Sequence, residues 1–132
     1  MKKIISIIIA LSMLLVMCSC GRYVSSYMAL GLMRNQTTHS CFASFQSLEG
    51  QLVFEIKKSD VGTEGEINYS VQLEKGEIRL YYDIYGTKEE LAHVKAGESI
   101  ENSGGYVEGG KPVYIIIEAT DSAKGKVSVE LD

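Results

Sequence analysis

The stretch EINYSVQLEKGEIRLYYDI, residues 66–84, decides the fold, because apolar and polar side chains alternate on both sides of Lys75-Gly76. Such alternation is typical of half-buried strands, and a two-residue connection ending in glycine is typical of a β-hairpin. With Lys75-Gly76 as the loop, Leu73 faces Ile78 and every apolar residue falls on one face. The remaining apolar pairs are Val71 with Leu80, Tyr69 with Tyr82 and Ile67 with Ile84. The pattern predicts an antiparallel hairpin with one buried face.

Similar patterns continue on either side of this stretch, separated by glycine-containing turns. Residues 52–57 and 127–131 alternate, whereas Val113 to Ile117 is a continuous apolar run, which indicates a strand that is central or covered on both faces. Gly97 to Lys111 is either a weak edge strand around Ser99 to Val107 or a loop. Short strands at regular spacing predict an all-β fold, an antiparallel β-sandwich of jelly-roll or Ig-like type with about seven or eight strands.

The polar face of the predicted hairpin is the candidate ligand surface. It would carry Gln72, Arg79, Tyr81, Asp83 and Tyr85. Tyrosine supplies a rigid ring with a hydroxyl, and arginine supplies forked hydrogen-bond donors. This composition suits a glycan or a protein partner. An ordinary solvated face of an antiparallel sheet is the alternative.

The N-terminus has the layout of a secretory signal peptide. Lys2 and Lys3 precede a stretch from Ile4 to Met17 that is apolar apart from two serines and, at 14 residues, is shorter than a membrane-spanning helix. Small Ser19 then precedes Cys20. A cysteine at this position predicts cleavage and attachment of acyl chains to Cys20, with Cys18 as the alternative.

This processing divides the chain into a signal peptide (residues 1–19), a tether (20–40) and a β-sandwich domain (41–132). The tether contains an apolar run, residues 28–33, which would either lie against the membrane or pack on the domain. We expect packing, because apolar side chains in a solvated linker gain nothing from water.

Composition and motifs exclude several functions. Loss of residues 1–19 removes two lysines and no acid, so the net charge changes from −4 to −6, which disfavours nucleic acid as a partner. After processing and acylation Cys41 is the remaining free thiol, expected to be a small buried residue. No metal-ligand motif, cofactor motif or Gly-x-Ser-x-Gly sequence occurs, and His93 lies in a predicted strand. We therefore expect no metal, no cofactor, no catalytic residue and no enzymatic activity.

Several strings resemble small bacterial lipoproteins that carry an all-β domain. They are Phe45 to Gly50, Glu66 to Val71, Glu74 to Ile78 and Ala123 to Val129. The resemblance implies a bacterial cell-envelope protein that is extracytoplasmic and held on the membrane by palmitate-type chains. We expect a non-enzymatic binding module. A structural or protein-partner role in the envelope is the alternative, and a hydrolase of envelope glycan is a disfavoured third.

Overall fold

In a computed structural model that describes residues 23–132, the chain is built from antiparallel strands. Seven strands and no helix form within these residues. The strands are β1 (Ser26–Leu30), β2 (Met33–Gln36), β3 (Ser40–Lys57), β4 (Glu64–Asp83), β5 (Glu89–Lys95), β6 (Ser99–Glu108) and β7 (Pro112–Leu131). The predicted all-β antiparallel fold is confirmed. The predicted signal peptide and both lipidation candidates, Cys18 and Cys20, lie outside the described residues.

The seven strands occupy five positions across the sheet, and we call each position a row. The long strands β3, β7 and β4 lie side by side in the middle, with β7 at the centre. β1 and β2 follow each other along the free side of β3, and β5 and β6 follow each other along the free side of β4. The central position of Val113 to Ile117 is confirmed, and Ile116 is fully buried although its side chain lies outside the main core cluster.

Each central strand is interrupted near its middle by a bulge. The pairing register shifts between Phe45 and Gly50 of β3 and between Leu73 and Glu77 of β4, while Asp121 and Ser122 of β7 adopt left-handed φ angles of 59° and 50°. Bulges bend strands and increase their twist. The bulges divide the sheet into two parts. Half A contains β1, residues 48–57, 77–83 and 112–119, and β5; half B contains β2, residues 40–45, 64–73 and 123–131, and β6.

The two halves pack face to face, which makes the fold a β-sandwich. The Tyr69 hydroxyl of half B donates a hydrogen bond of 3.1 Å to the Leu91 carbonyl of half A. The guanidinium carbon of Arg34, in half B, lies 4.6 Å from the centre of the Phe54 ring in half A. One cluster of buried apolar side chains fills the space between the halves.

Cys41 belongs to this core, as expected from the sequence. Its side chain is buried, and that burial raises the pKa of the thiol to about 12. A thiol that stays protonated at neutral pH is a poor nucleophile. Cys41 therefore acts as a small apolar residue in the folded protein.

The predicted hairpin is wrong. β4 runs without reversal from Glu64 to Asp83, and β7 pairs with it on both sides of Gly76. Alternation places odd-numbered apolar residues inward up to Leu73 and even-numbered ones inward from Ile78. A turn and a bulge both produce this change of phase, and both accept a glycine at positive φ. Here Gly76, with φ of 79°, lies in a bulge.

The predicted tether is also wrong for residues 26–36, because they form β1 and β2 and pair with β3. Within the apolar run, Ala29 and Leu32 pack against the core, as the packing prediction requires. Met28, Leu30 and Met33 remain exposed. The folded domain therefore begins well before residue 41.

Candidate ligand-binding surface

The five predicted ligand residues lie on β4 or just after it, but they do not form one strip. Gln72 belongs to half B, where it pairs with Ser99 of β6 and Lys126 of β7. Arg79 lies beyond the bulge in half A, where it pairs with His93 and Glu118. The predicted polar face required Gln72 and Arg79 to lie on two paired strands of a hairpin, and it fails because both residues lie on β4.

Arg79 and Tyr81 lie on the outer face of half A and already have charged neighbours. A guanidinium nitrogen of Arg79 lies 3.1 Å from a carboxylate oxygen of Glu90, and both side chains are partly exposed. The Lys88 ammonium lies 4.1 Å from the centre of the Tyr81 ring, and Tyr81 is half-buried. These contacts are those of an ordinary polar sheet face.

Asp83 has a structural role instead of the predicted ligand contact. Its side chain is 3% exposed, and among residues 23–132 it is the buried charged residue. One carboxylate oxygen accepts a 2.6 Å hydrogen bond from the Gly86 amide, and the other accepts one of 2.6 Å from the Tyr23 hydroxyl. Asp83 therefore fastens the loop between β4 and β5 to the N-terminal segment.

Tyr85 is exposed and takes part in an aromatic pair that the sequence did not predict. Its ring centre lies 6.5 Å from that of Tyr106, with 22° between the ring planes. Tyr85 is 57% exposed and Tyr106 is 42% exposed. Exposed stacked rings offer rigid apolar area to a ligand at low entropic cost.

Charged groups surround the two rings. The Tyr85 hydroxyl donates a 2.8 Å hydrogen bond to Glu108, and the Tyr106 hydroxyl donates a 3.0 Å hydrogen bond to Glu64. The Lys111 ammonium lies 3.3 Å from the Glu108 carboxylate and 4.8 Å from the centre of the Tyr85 ring. We call these five residues, Glu64, Tyr85, Tyr106, Glu108 and Lys111, the tyrosine cluster.

Four different segments supply the tyrosine cluster: the start of β4, the β4–β5 loop, the end of β6 and the β6–β7 turn. Gly105, with φ of 72°, lets β6 approach β4, since a Cβ there would lie 2.9 Å from the Tyr82 ring. The Gly109 amide donates a 2.8 Å hydrogen bond to the Thr63 carbonyl, which joins the β6–β7 turn to the segment before β4. Exposed Val61 lies beside Gly110 in the same group of loops.

The hydrogen bonds of the cluster shift the pKa values of its side chains. The bond to Glu108 raises the pKa of Tyr85 to about 12, and the bond to Glu64 raises the pKa of Tyr106. The same bond from Tyr85, helped by Lys111, lowers the pKa of Glu108. These shifts keep both phenols neutral, and Glu108 ionised, over a wider pH range than in the free side chains.

Tyr106 and its neighbours were missed because they lie within Gly97 to Lys111, which the sequence could not assign as strand or loop. The only sequence signal was a tyrosine directly after Gly104-Gly105. Tyr85 was predicted correctly as an exposed residue, but the prediction used the hairpin at Lys75-Gly76, which does not form.

A polar depression of about 510 Å³ lies on half B, away from the tyrosine cluster. Asn68, Ser70, Asn102, Ser103 and Ser128 are among its lining residues, and the one aromatic contributor, Tyr69, is 7% exposed. It lacks the exposed rings of the tyrosine cluster. Within residues 23–132, no group of three or more His, Cys, Asp or Glu residues is placed to hold a metal ion.

No helix among the described residues has the length and apolar character needed to cross a bilayer. The sequence matches no protein-family model. No curated protein matches it either.

Among solved structures, the chain is similar to Drosophila melanogaster CENP-C bound to CAL1, at 14% identity and a TM-score of 0.37 over 81% of this chain and 78% of that one. It is similar to the Drosophila melanogaster CENP-C cupin domain at 11% identity and a TM-score of 0.32, covering 84% of each chain. For the hydroxypropylphosphonic acid epoxidase of S. wedmorenis in complex with fosfomycin, the identity is 13% and the TM-score 0.30, over 83% of this chain and 59% of the epoxidase. Similarities this distant carry no argument about function.

Proposed function

We propose that this protein is an extracytoplasmic lipoprotein, anchored by acyl chains on Cys20, whose β-sandwich is a non-enzymatic binding module. The sequence from Lys2 to Cys20 supports the anchor. The observation that carries the binding role is the exposed stacked pair of Tyr85 and Tyr106, which the β4–β5 loop and the end of β6 bring together. Envelope glycan is the proposed ligand.

The chemistry of the tyrosine cluster supports a glycan. The apolar C–H face of a sugar ring packs on an aromatic face, and the rings of Tyr85 and Tyr106 are both exposed. Carboxylates accept hydrogen bonds from sugar hydroxyls, and an ammonium donates them. Glu64, Glu108 and Lys111 place both kinds of group beside the rings.

A non-enzymatic role is supported by the partners of the charged groups. One carboxylate oxygen of Glu108, Oε2, contacts both Tyr85 and Lys111, and the lowered pKa of Glu108 makes it a weak base. The raised pKa of both tyrosines makes them poor nucleophiles at neutral pH. The arrangement suits recognition better than proton transfer.

The anchor is tested by growing cells that express the full chain with labelled palmitate. The label should enter the wild-type protein and be lost in Cys20→Ala. Cys18→Ala is the matched control, since Cys18 should be removed with the signal peptide. If Cys18→Ala alone abolished labelling, the processing site would be wrong.

Glycan binding is tested with soluble muropeptides prepared by muramidase digestion of bacterial cell wall. Tyr106→Ala and Tyr85→Ala should each lose about 2 kcal/mol of binding free energy, roughly 30-fold in Kd, as expected of aromatic hot spots. Tyr27→Ala is the control, because Tyr27 is also partly exposed, at 37%, but lies on β1. Calorimetric titration gives the Kd values, and equal affinity of all four proteins would reject the tyrosine cluster as the site.

A further inference from the structure

Exposed apolar side chains are concentrated near the start of the described chain. Among residues 23–132, eight large hydrophobic residues are exposed, and five of them lie within the short segment from residue 24 to residue 33. Met28 is 78% exposed, Leu30 70% and Met33 68%. Single exposed apolar residues are ordinary, but a group of this kind marks a surface that something covers.

Strand geometry places Met28 and Leu30 on the outside of half A. Ala29, between them, packs against the core, so its two neighbours point to the opposite face. Their pairing partners on β3 are Glu49 and Ser47, which are not buried either. Burial inside the sandwich is therefore unavailable to these two side chains.

The N-terminal segment is fastened to the same outer face. The Tyr23 hydroxyl bonds to Asp83, and its ring centre lies 5.8 Å from that of Tyr114. The backbone amide of Val53 donates a 2.9 Å hydrogen bond to the hydroxyl of Ser25. The chain therefore leaves the domain from the face that carries Met28 and Leu30.

Chain length then limits how far this face can stand from the bilayer. Tyr23 follows Cys20 by three residues, and three fully extended residues span at most about 11 Å. If Cys20 carries the acyl chains, the point where the chain enters the domain lies close to the lipid headgroups. The tether predicted from the sequence would have allowed a much larger separation.

We infer that the outer face of β1 rests on the bilayer, with Met28 and Leu30 inserted at the boundary between headgroups and acyl chains. The inference depends on the proposed acylation of Cys20. Short apolar insertions add to an acyl anchor, and they fix the orientation of the domain. The covering partner is therefore lipid.

The test uses the acylated full-length protein in vesicles of phosphatidylethanolamine and phosphatidylglycerol. Met28→Cys and Leu30→Cys variants are labelled with an environment-sensitive fluorophore, and nitroxide-bearing lipids serve as quenchers. Lys95→Cys is the matched control, because Lys95 is exposed on β5 at the opposite edge of the sheet. Buried Cys41 should stay unlabelled, which also verifies that each variant is folded.

The expected result is a blue-shifted emission at positions 28 and 30 that the nitroxide lipids quench several-fold more strongly than emission at position 95. Water-like emission at 28 and 30 in protein that floats with the vesicles would overturn the inference and leave the anchor intact. A blue shift that depends on protein concentration and resists the lipid quenchers would mean that a second copy covers this face, and would also overturn it. Protein that does not float would reject the anchor, and the inference with it.

Discussion

The two outer rows of the sheet are built alike, yet β1 in one row and β5 in the other expose opposite chemistry. Each row consists of two short strands that follow each other along one long strand. The row of β1 and β2 exposes Met28, Leu30 and Met33. The row of β5 and β6 exposes charged and polar side chains, including Glu89, Glu90, Lys95, Glu101 and Asn102.

The difference shows what each edge is adapted to. A free sheet edge is a template for unwanted pairing, and charged side chains are a common protection against it. The row of β5 and β6 has that protection, which suits an edge that stays in water. β1 lacks it, since none of its residues is charged, and this suits a strand that has a constant neighbour.

The largest expected effect is the loss of stability when a buried residue of a central strand is truncated, compared with an exposed residue of an edge strand. Leu80→Ala should reduce the free energy of unfolding by about 2–5 kcal/mol, because Leu80 is fully buried and its truncation leaves a cavity. Met28→Ala is the control and should stay within about ±0.5 kcal/mol in the unacylated protein. Urea denaturation measures both. Similar losses would mean that the apolar edge is part of the core.

A smaller effect is expected from glycine substitutions, compared between Gly76 in the bulge of β4 and Gly97 in the turn between β5 and β6. Gly76→Ala should destabilise the protein by more than about 2 kcal/mol, since φ is 79° and a Cβ would lie 2.6 Å from backbone atoms of β7. Gly97→Ala should cost only about 1 kcal/mol, since φ is 85° but nothing lies within 4 Å. Thermal unfolding distinguishes them. Equal, small losses of stability in the two variants would contradict the bulge and support the predicted hairpin, in which Gly76 lies in an exposed loop.

The smallest effect is the pH dependence of stability that comes from Tyr85 and Glu108 in the tyrosine cluster. Since the Tyr85 pKa is raised to about 12, its interaction with Glu108 stabilises the fold below pH 10 and is lost as pH rises through about 12. The lowered pKa of Glu108 gives a contribution that is present above pH 4.5 and is lost at lower pH. Tyr85→Phe should therefore raise the Glu108 pKa.

This pKa change is measured by NMR titration of the Glu108 carboxyl carbon. Tyr106→Phe is the comparison variant, because the Tyr106 hydroxyl bonds to Glu64 instead. It should change the Glu108 pKa less than Tyr85→Phe does. An unchanged Glu108 pKa in Tyr85→Phe would show that Tyr85 does not form the hydrogen bond to Glu108, and would contradict the cluster geometry.

The sequence predicted the strands better than their connections. Alternation identified the inward residues of β4, and the continuous run from Val113 to Ile117 identified the central strand. The connection at Lys75-Gly76 failed, because a bulge and a turn shift the alternation in the same way. Pairing of β4 with β7 joins residues such as Ile67 and Leu131, and local patterns contain no information about such distant partners.

The candidate site was predicted only in part, for the same reason. Tyr85 was identified, whereas its stacking partner Tyr106 lies in a segment without clear alternation. Asp83 looked like an exposed ligand residue because its strand alternates. Its burial depends on Tyr23, which is distant in sequence, and on the local Gly86 amide.

The central place of β7 has a consequence for how the chain folds. Among the described strands, β3 and β4 do not pair with each other, and both pair along their length with β7, the most C-terminal of the seven. Contacts such as Cys41 with Val129 close very long loops, which slows folding. The core therefore cannot assemble before β7, Pro112–Leu131, is available to pair. If the proposed export threads the chain through a channel with its N-terminus first, the domain gains its structure only after β7 has crossed.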